Sequence, residues 1–131
     1  MRTLVICSLI FLCSCGAAVN ASDIPGKWQV IDFDAKMPDV SPMLILAARE
    51  EAVSTVFVLS NDGNFAETSN FNPEGIEGSW VFSTSNNSLQ VTDSQGSERV
   101  FVIESINDGR MIWVQELDEL GSMSYILKNT E

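Results

Sequence analysis

Carboxylates, serines near lysines and a set of aromatics are the side chains in this sequence whose types could do chemistry. Histidine is absent from all 131 residues, which removes the commonest general base and the commonest transition-metal ligand. The three cysteines, Cys7, Cys13 and Cys15, all fall in the first fifteen positions, so the body of the chain can build neither a thiol nucleophile nor a zinc site. No spacing favours a serine and lysine pair. Asp32 tests the acid–base reading, because strand alternation puts it on the face of Trp28; at the end of a strand the same carboxylate is simply solvated. Asp62, Asn64 and Asp93 stand in turns near glycines, as calcium-loop ligands do, but the D-x-[DN]-x-[DN]-G run is missing and ordinary turn chemistry accounts for them. We therefore expect no catalytic residue, no cofactor and no metal.

The aromatics are more informative. Trp28, Trp80, Phe82, Phe101, Trp113 and Tyr125 take the inward phase of their strands, and Met111 adds an adaptable wall. Such a set could line a concave apolar site for a small hydrophobic ligand. The competing reading is that the same side chains simply fill the interior.

Positioning them falls to short strands. Trp28 to Asp34 reads as a first strand, with Trp28, Val30 and Asp32 on one face and Gln29, Ile31 and Phe33 on the other. Ser41-Pro42 reads as an N-cap with proline at the first helical position, and Met43 to Val53 is composed of helix formers. Its apolar residues predict burial over one end of the sheet, with Leu44 and Leu46 as a lid. From Thr55 on, six turn clusters from Asn61-Asp62-Gly63 to Asp118-Glu119-Leu120-Gly121, Asn72-Pro73-Glu74-Gly75 among them, punctuate seven further strands. These are Thr55 to Ser60, Phe65 to Phe71, Ser79 to Thr84, Ser88 to Thr92, Arg99 to Ile106, Met111 to Glu116 and Ser122 to Lys128. Eight strands joined by short links predict an all-β, antiparallel up-and-down barrel with one short helix between strands one and two. The outward phase is unusually apolar at Val100, Val102, Ile112, Val114 and Ile126, which invites a covering helix or another protein.

Gly26-x-Trp28 at the first strand, Gly78-Ser79-Trp80, Met111-x-Trp113 and a final Tyr125-x-Leu127-Lys128 together resemble the lipocalin-like domains of small bacterial secreted proteins and lipoproteins. The resemblance covers Gly26 to Lys128. Asn107-Asp108-Gly109 stands where larger lipocalins carry Thr-Asp-Tyr, and Lys128 is the nearest counterpart of an arginine that stacks on the motif tryptophan. The resemblance implies a binding or scaffolding protein rather than an enzyme.

The start of the chain reads as an export signal. Met1-Arg2-Thr3 is a short basic start, and the apolar run Leu4 to Cys13 is too short for a membrane-spanning helix of about 20 residues but suits a signal peptide. Leu12-Cys13-Ser14-Cys15 resembles a bacterial lipobox, which implies lipidation at Cys15; cleavage after Ala21 is the alternative. Residues 1–21 then form the signal peptide and tether, and 22–131 the barrel domain. With Arg2 removed, six basic side chains face eighteen acidic ones, a balance of −12 that disfavours nucleic acid. The expected setting is the cell envelope, as an outer-membrane lipoprotein facing the periplasm, or else a soluble periplasmic or secreted protein. Two roles follow: a binder of a small hydrophobic ligand held at the membrane by its lipid, or a filled scaffold that docks a second copy of itself or an envelope protein.

Overall fold

The computed structural model describes residues 19–130. Of the expected signal and tether segment, residues 1–18, with Cys15 among them, lie outside the described residues. A short 3-10 turn at Ala21–Asp23 precedes strand β1, Gly26–Lys36, and helix α1, Pro42–Ala52. Seven strands follow: β2 Val56–Leu59, β3 Asn64–Ser69, β4 Asn72–Ser83, β5 Ser88–Asp93, β6 Glu98–Asn107, β7 Arg110–Glu116 and β8 Ser122–Asn129. Each pairs antiparallel with the strand before it, and β8 returns to β1, closing an eight-stranded barrel in chain order. This is the architecture expected from the turn spacing, with the helix between strands one and two.

The links sort the barrel into two ends. Residues 60–63, 84–87 and 108–109 turn at the end where the chain enters and leaves, whereas α1 and links 70–71, 94–97 and 117–121 lie at the other. At the first end Ile24 is completely buried, and its carbonyl accepts a 2.8 Å hydrogen bond from the Trp28 indole Nε1. That contact closes the barrel there. Lys128, the expected counterpart of the lipocalin arginine, instead takes the outward phase beside buried Leu127 and is exposed.

Two bulges change the inward set. In β1 the register against β8 shifts between Val30 and Asp32, so Ile31 is an extra residue and every later side chain changes face. Phe33 consequently points inward and is buried, contrary to its expected place with Gln29 and Ile31, while Asp32 turns outward. A second shift, between Ile103 and Ser105, does the same in β6. Strand β4 also begins earlier than expected: Asn72 to Gly75 belongs to the strand rather than to a turn. The glycine there serves a third irregularity, since Gly75 has φ +81° opposite the register shift between Glu67 and Ser69. Further along, a Cβ on Gly78 would lie 1.9 Å from the carbonyl oxygen of Thr92, so only glycine allows β4 and β5 to come this close there.

One continuous core runs down the barrel. Trp28, Trp113, Phe101, Met111, Leu59 and Leu127 are among its fully buried members, each at most 1% exposed. Burying each contributes roughly 1.5–3 kcal/mol, without any cysteine in the barrel to add a disulfide.

Candidate ligand site at the barrel mouth

Helix α1 is capped as its sequence predicts. Pro42 takes the first turn, and the Ser41 Oγ accepts from the Leu44 backbone N–H at 3.3 Å. Its other end is tied to the barrel: Thr55 Oγ1 donates to the Glu51 carbonyl at 3.0 Å, and Gln29 Nε2 donates to the Val53 carbonyl at 2.9 Å. Arg49 reaches Asp32 at 2.8 Å across the outer surface. That guanidinium is the chief reason the Asp32 carboxyl is held below its ordinary range, with the Phe33 N–H second. Asp32 is therefore a surface anchor for the helix.

The helix does not seal the mouth. Apolar residues surround its first two turns, and one helix can turn only one stripe to the barrel. The stripe it presents runs through Ile45, Ala48 and Ala52, and only Ala52 is buried. Leu44 and Leu46 are 64% and 57% exposed, which corrects the expectation that they close the barrel as a lid.

Between the last helical turn and the strand ends lies an open cleft of about 220 Å³. Phe33, Phe57, Met123 and Tyr125 supply its apolar wall, Ala48 and Ala52 its helical edge, and Thr55, Glu51, Glu67 and Arg99 its polar groups. The Arg99 guanidinium forms an ion pair with Glu67, the two side chains 34% and 19% exposed, and lies 6.0 Å and 5.8 Å from the ring centres of Phe65 and Phe101. Tyr125 packs edge-on against Phe33 at 5.2 Å and against Phe101 at 5.9 Å. Burial pushes its phenol above the ordinary tyrosine range; Arg99 opposes that shift, and Glu67 and Glu51 add to it.

The seven expected lumen residues do not converge on one cavity. They are strung along the barrel axis and fill it. Trp28, Phe101, Met111 and Trp113 are buried in the core, and Trp80 and Phe82 pack partly buried against it. Trp80 is committed to the closed end by a 2.9 Å hydrogen bond from its Nε1 to the Ser60 carbonyl. Of the seven, Tyr125 alone lines the cleft. Trp113 lies beneath, its ring tilted against Phe57 at 4.9 Å and Phe101 at 4.8 Å, and its buried Nε1 has no hydrogen-bond partner among the described residues. The physical reason is barrel size: eight strands enclose a space that side chains of this bulk can occupy.

Sequence reasoning overlooked Glu67 and Arg99. The signal was present, because Glu67 is two residues beyond buried Phe65 and Arg99 two before buried Phe101, which gives each the inward phase. Charge at a strand end reads as solvated, and that reading hid them. The turn acids behave as ordinary turn residues. Asp62 accepts from the Asn64 backbone at 3.2 Å, and Asp93 accepts from the N–H groups of Gln95 and Ser97, both at 2.9 Å.

No protein-family profile matches the chain, and no curated protein matches it. In fold it is similar to a DUF4847 family protein from Bacteroides vulgatus seen in a crystal structure, with a TM-score of 0.56 over 86% of this chain and 99% of that one, at 12% sequence identity. At that identity the likeness is one of fold. The chain is a closed eight-stranded antiparallel barrel, consistent with a lipocalin-like architecture and similar in fold to that DUF4847 protein.

Proposed function

We propose that this protein is an exported, membrane-anchored binding protein that holds a small, largely apolar ligand at the mouth of its barrel. The observation that carries this reading is the cleft itself. Below it the interior is packed, and the cleft beside Phe33, Phe57 and Tyr125 combines an aromatic wall with a polar edge. No reaction is part of the proposal. A saturable change in tryptophan fluorescence on adding an apolar ligand, together with mass spectrometry of organic extracts from natively purified protein, tests it. Ligand recovered in the extract, and lost when Ala48→Trp fills the cleft, is the expected result. An empty extract and no saturable response would defeat the proposal.

Anchoring through Cys15 is the processing we propose, with the outer membrane facing the periplasm as its setting. Val19 is buried with the core, and the Asn20 side chain caps the 3-10 turn through the Ser22 N–H at 3.1 Å. Cleavage after Ala21 would divide that turn and discard both residues; cleavage before Cys15 keeps them. Because the chain enters at the closed end, a tether there leaves the mouth directed away from the membrane. Intact mass and membrane fractionation test this, and Cys15→Ser should release the protein. A soluble form beginning at Ser22 would refute it.

A second reading rests on the outer wall. Val81, Val100 and Val102 are 65%, 50% and 38% exposed, and Gln90 of β5 stands between Val81 and Val100, so the valines share one outer face that α1 leaves uncovered. A scaffold docking a second copy or an envelope protein there would dimerise or co-purify with that partner, with an empty cleft.

A further inference from the structure

Resting on the cleft reading above, we infer that the mouth site selects a compact apolar molecule carrying one positive charge, an aryl-alkyl ammonium in class, over a fatty acid or other anion. The charges around the cleft decide the sign. Its ionisable lining consists of Glu51, Glu67, Arg99 and the neutral phenol of Tyr125. Arg99 is already engaged: Glu67 pairs with it, and the rings of Phe65 and Phe101 flank it. An incoming carboxylate would have to share Arg99 with Glu67, whose own negative charge opposes it. Glu51, by contrast, forms no ion pair among the described residues. The lining thus carries one uncompensated negative charge.

Aromatic lining favours the same ligand. Phe33, Phe57 and Tyr125 all border the cleft, and an aromatic ring attracts a cation that reaches its face, the more strongly as water is excluded. The mature balance of −12 supplies a long-range field of the same sign. Size sets the remaining condition, since about 220 Å³ falls below the ~300–1,000 Å³ of pockets for drug-sized ligands. A single ring with a short charged arm fits these conditions, and a long acyl chain does not.

The test uses three matched probes: phenethylammonium, 2-phenylethanol and 3-phenylpropionate, titrated calorimetrically into the mature protein at low salt. Phenethylammonium should bind tightest and 3-phenylpropionate weakest. Glu51→Gln should weaken the cation roughly five- to tenfold while leaving the alcohol nearly unchanged, and Glu50→Gln, which removes the same charge from the same helix outside the cleft, should have a much smaller effect. Ala48→Trp, at an exposed helical position, should abolish binding of all three. The inference is overturned if 3-phenylpropionate binds as tightly as the ammonium, or if Glu51→Gln and Glu50→Gln act alike. Binding of the alcohol or the anion without the cation would overturn the inference while leaving the cleft reading intact. If none of the three binds, the inference is overturned and the extract experiment decides the cleft reading by itself.

Discussion

The two ends of this barrel solve opposite problems with the same strands. At the closed end, Ile24 and Trp28 are buried and the two indole donors of Trp28 and Trp80 each meet a backbone carbonyl. At the mouth, α1 buries only Ala52, and an ion pair with a tyrosine stands where the core would otherwise continue. A polar group brought inside costs stability unless partnered, and the mouth meets that condition by pairing Arg99 with Glu67 where the closed end relies on packing. The difference teaches where the binding proposal is best tested: at the end that is less well packed and more polar.

The comparison can be broken most strongly from the closed end. Trp28→Ala should destabilise the protein by about 3–5 kcal/mol in urea unfolding, because it opens a cavity and leaves the Ile24 carbonyl without its donor. A loss under about 1 kcal/mol would mean this end is not the stabilising one. Next in size is the mouth pair. Glu67→Gln should cost roughly 1–3 kcal/mol by leaving Arg99 without a charged partner, whereas the double change Glu67→Leu with Arg99→Met should recover most of that loss. If the double variant is as unstable as the single, the pair is structural and the polar mouth loses its functional meaning.

Trp113→Phe sharpens the boundary between the regions. The change removes a buried N–H that has no partner among the described residues, so the lost ring volume is partly offset and the net effect should stay within about 1.5 kcal/mol. Smaller again should be Leu44→Ser with Leu46→Ser, at about 0.5 kcal/mol or less each, since both side chains are exposed. Hydrogen exchange should find α1 opening more readily than the strands, and equal protection would contradict the loose seating described above.

Alkaline pH supplies a last and graded test of the mouth. Burial raises the folded pKa of Tyr125 above the unfolded value of about 10, so its contribution to stability is complete below pH 10 and is lost as pH rises through the folded pKa. Ultraviolet titration should show tyrosinate forming above the ordinary range, and Tyr125→Phe should flatten the alkaline decline in stability. Titration of this single tyrosine at the ordinary value would mean that the mouth is more open to water than its packing against Phe33 and Phe101 indicates.

Local sequence determined a great deal. Turn clusters such as Asn107-Asp108-Gly109 state where the chain reverses, because positive φ is cheap for few residues: Asp108 at φ +56° and Gly109 at +75° show it. Ser41-Pro42 likewise marked the start of the helix, and alternation placed Trp113 opposite Tyr125 and Leu89 opposite Phe101 on the inner face. Eight strands with short links leave little topological choice, so closure was legible as well. Tertiary structure decided the rest. An extra residue at Ile31 reverses the phase of β1 only because β8 pairs around it, and no local pattern in Val30-Ile31-Asp32 announces that. Which stripe of a helix apolar all round its first two turns faces the barrel depends on the anchors Arg49–Asp32 and Gln29–Val53, 17 and 24 residues apart in the chain. The mouth itself depends on Glu67 meeting Arg99 across 32 residues. Periodicity assigns a side chain to a face, but partnership across a barrel is set by register and closure, and only the folded chain determines those.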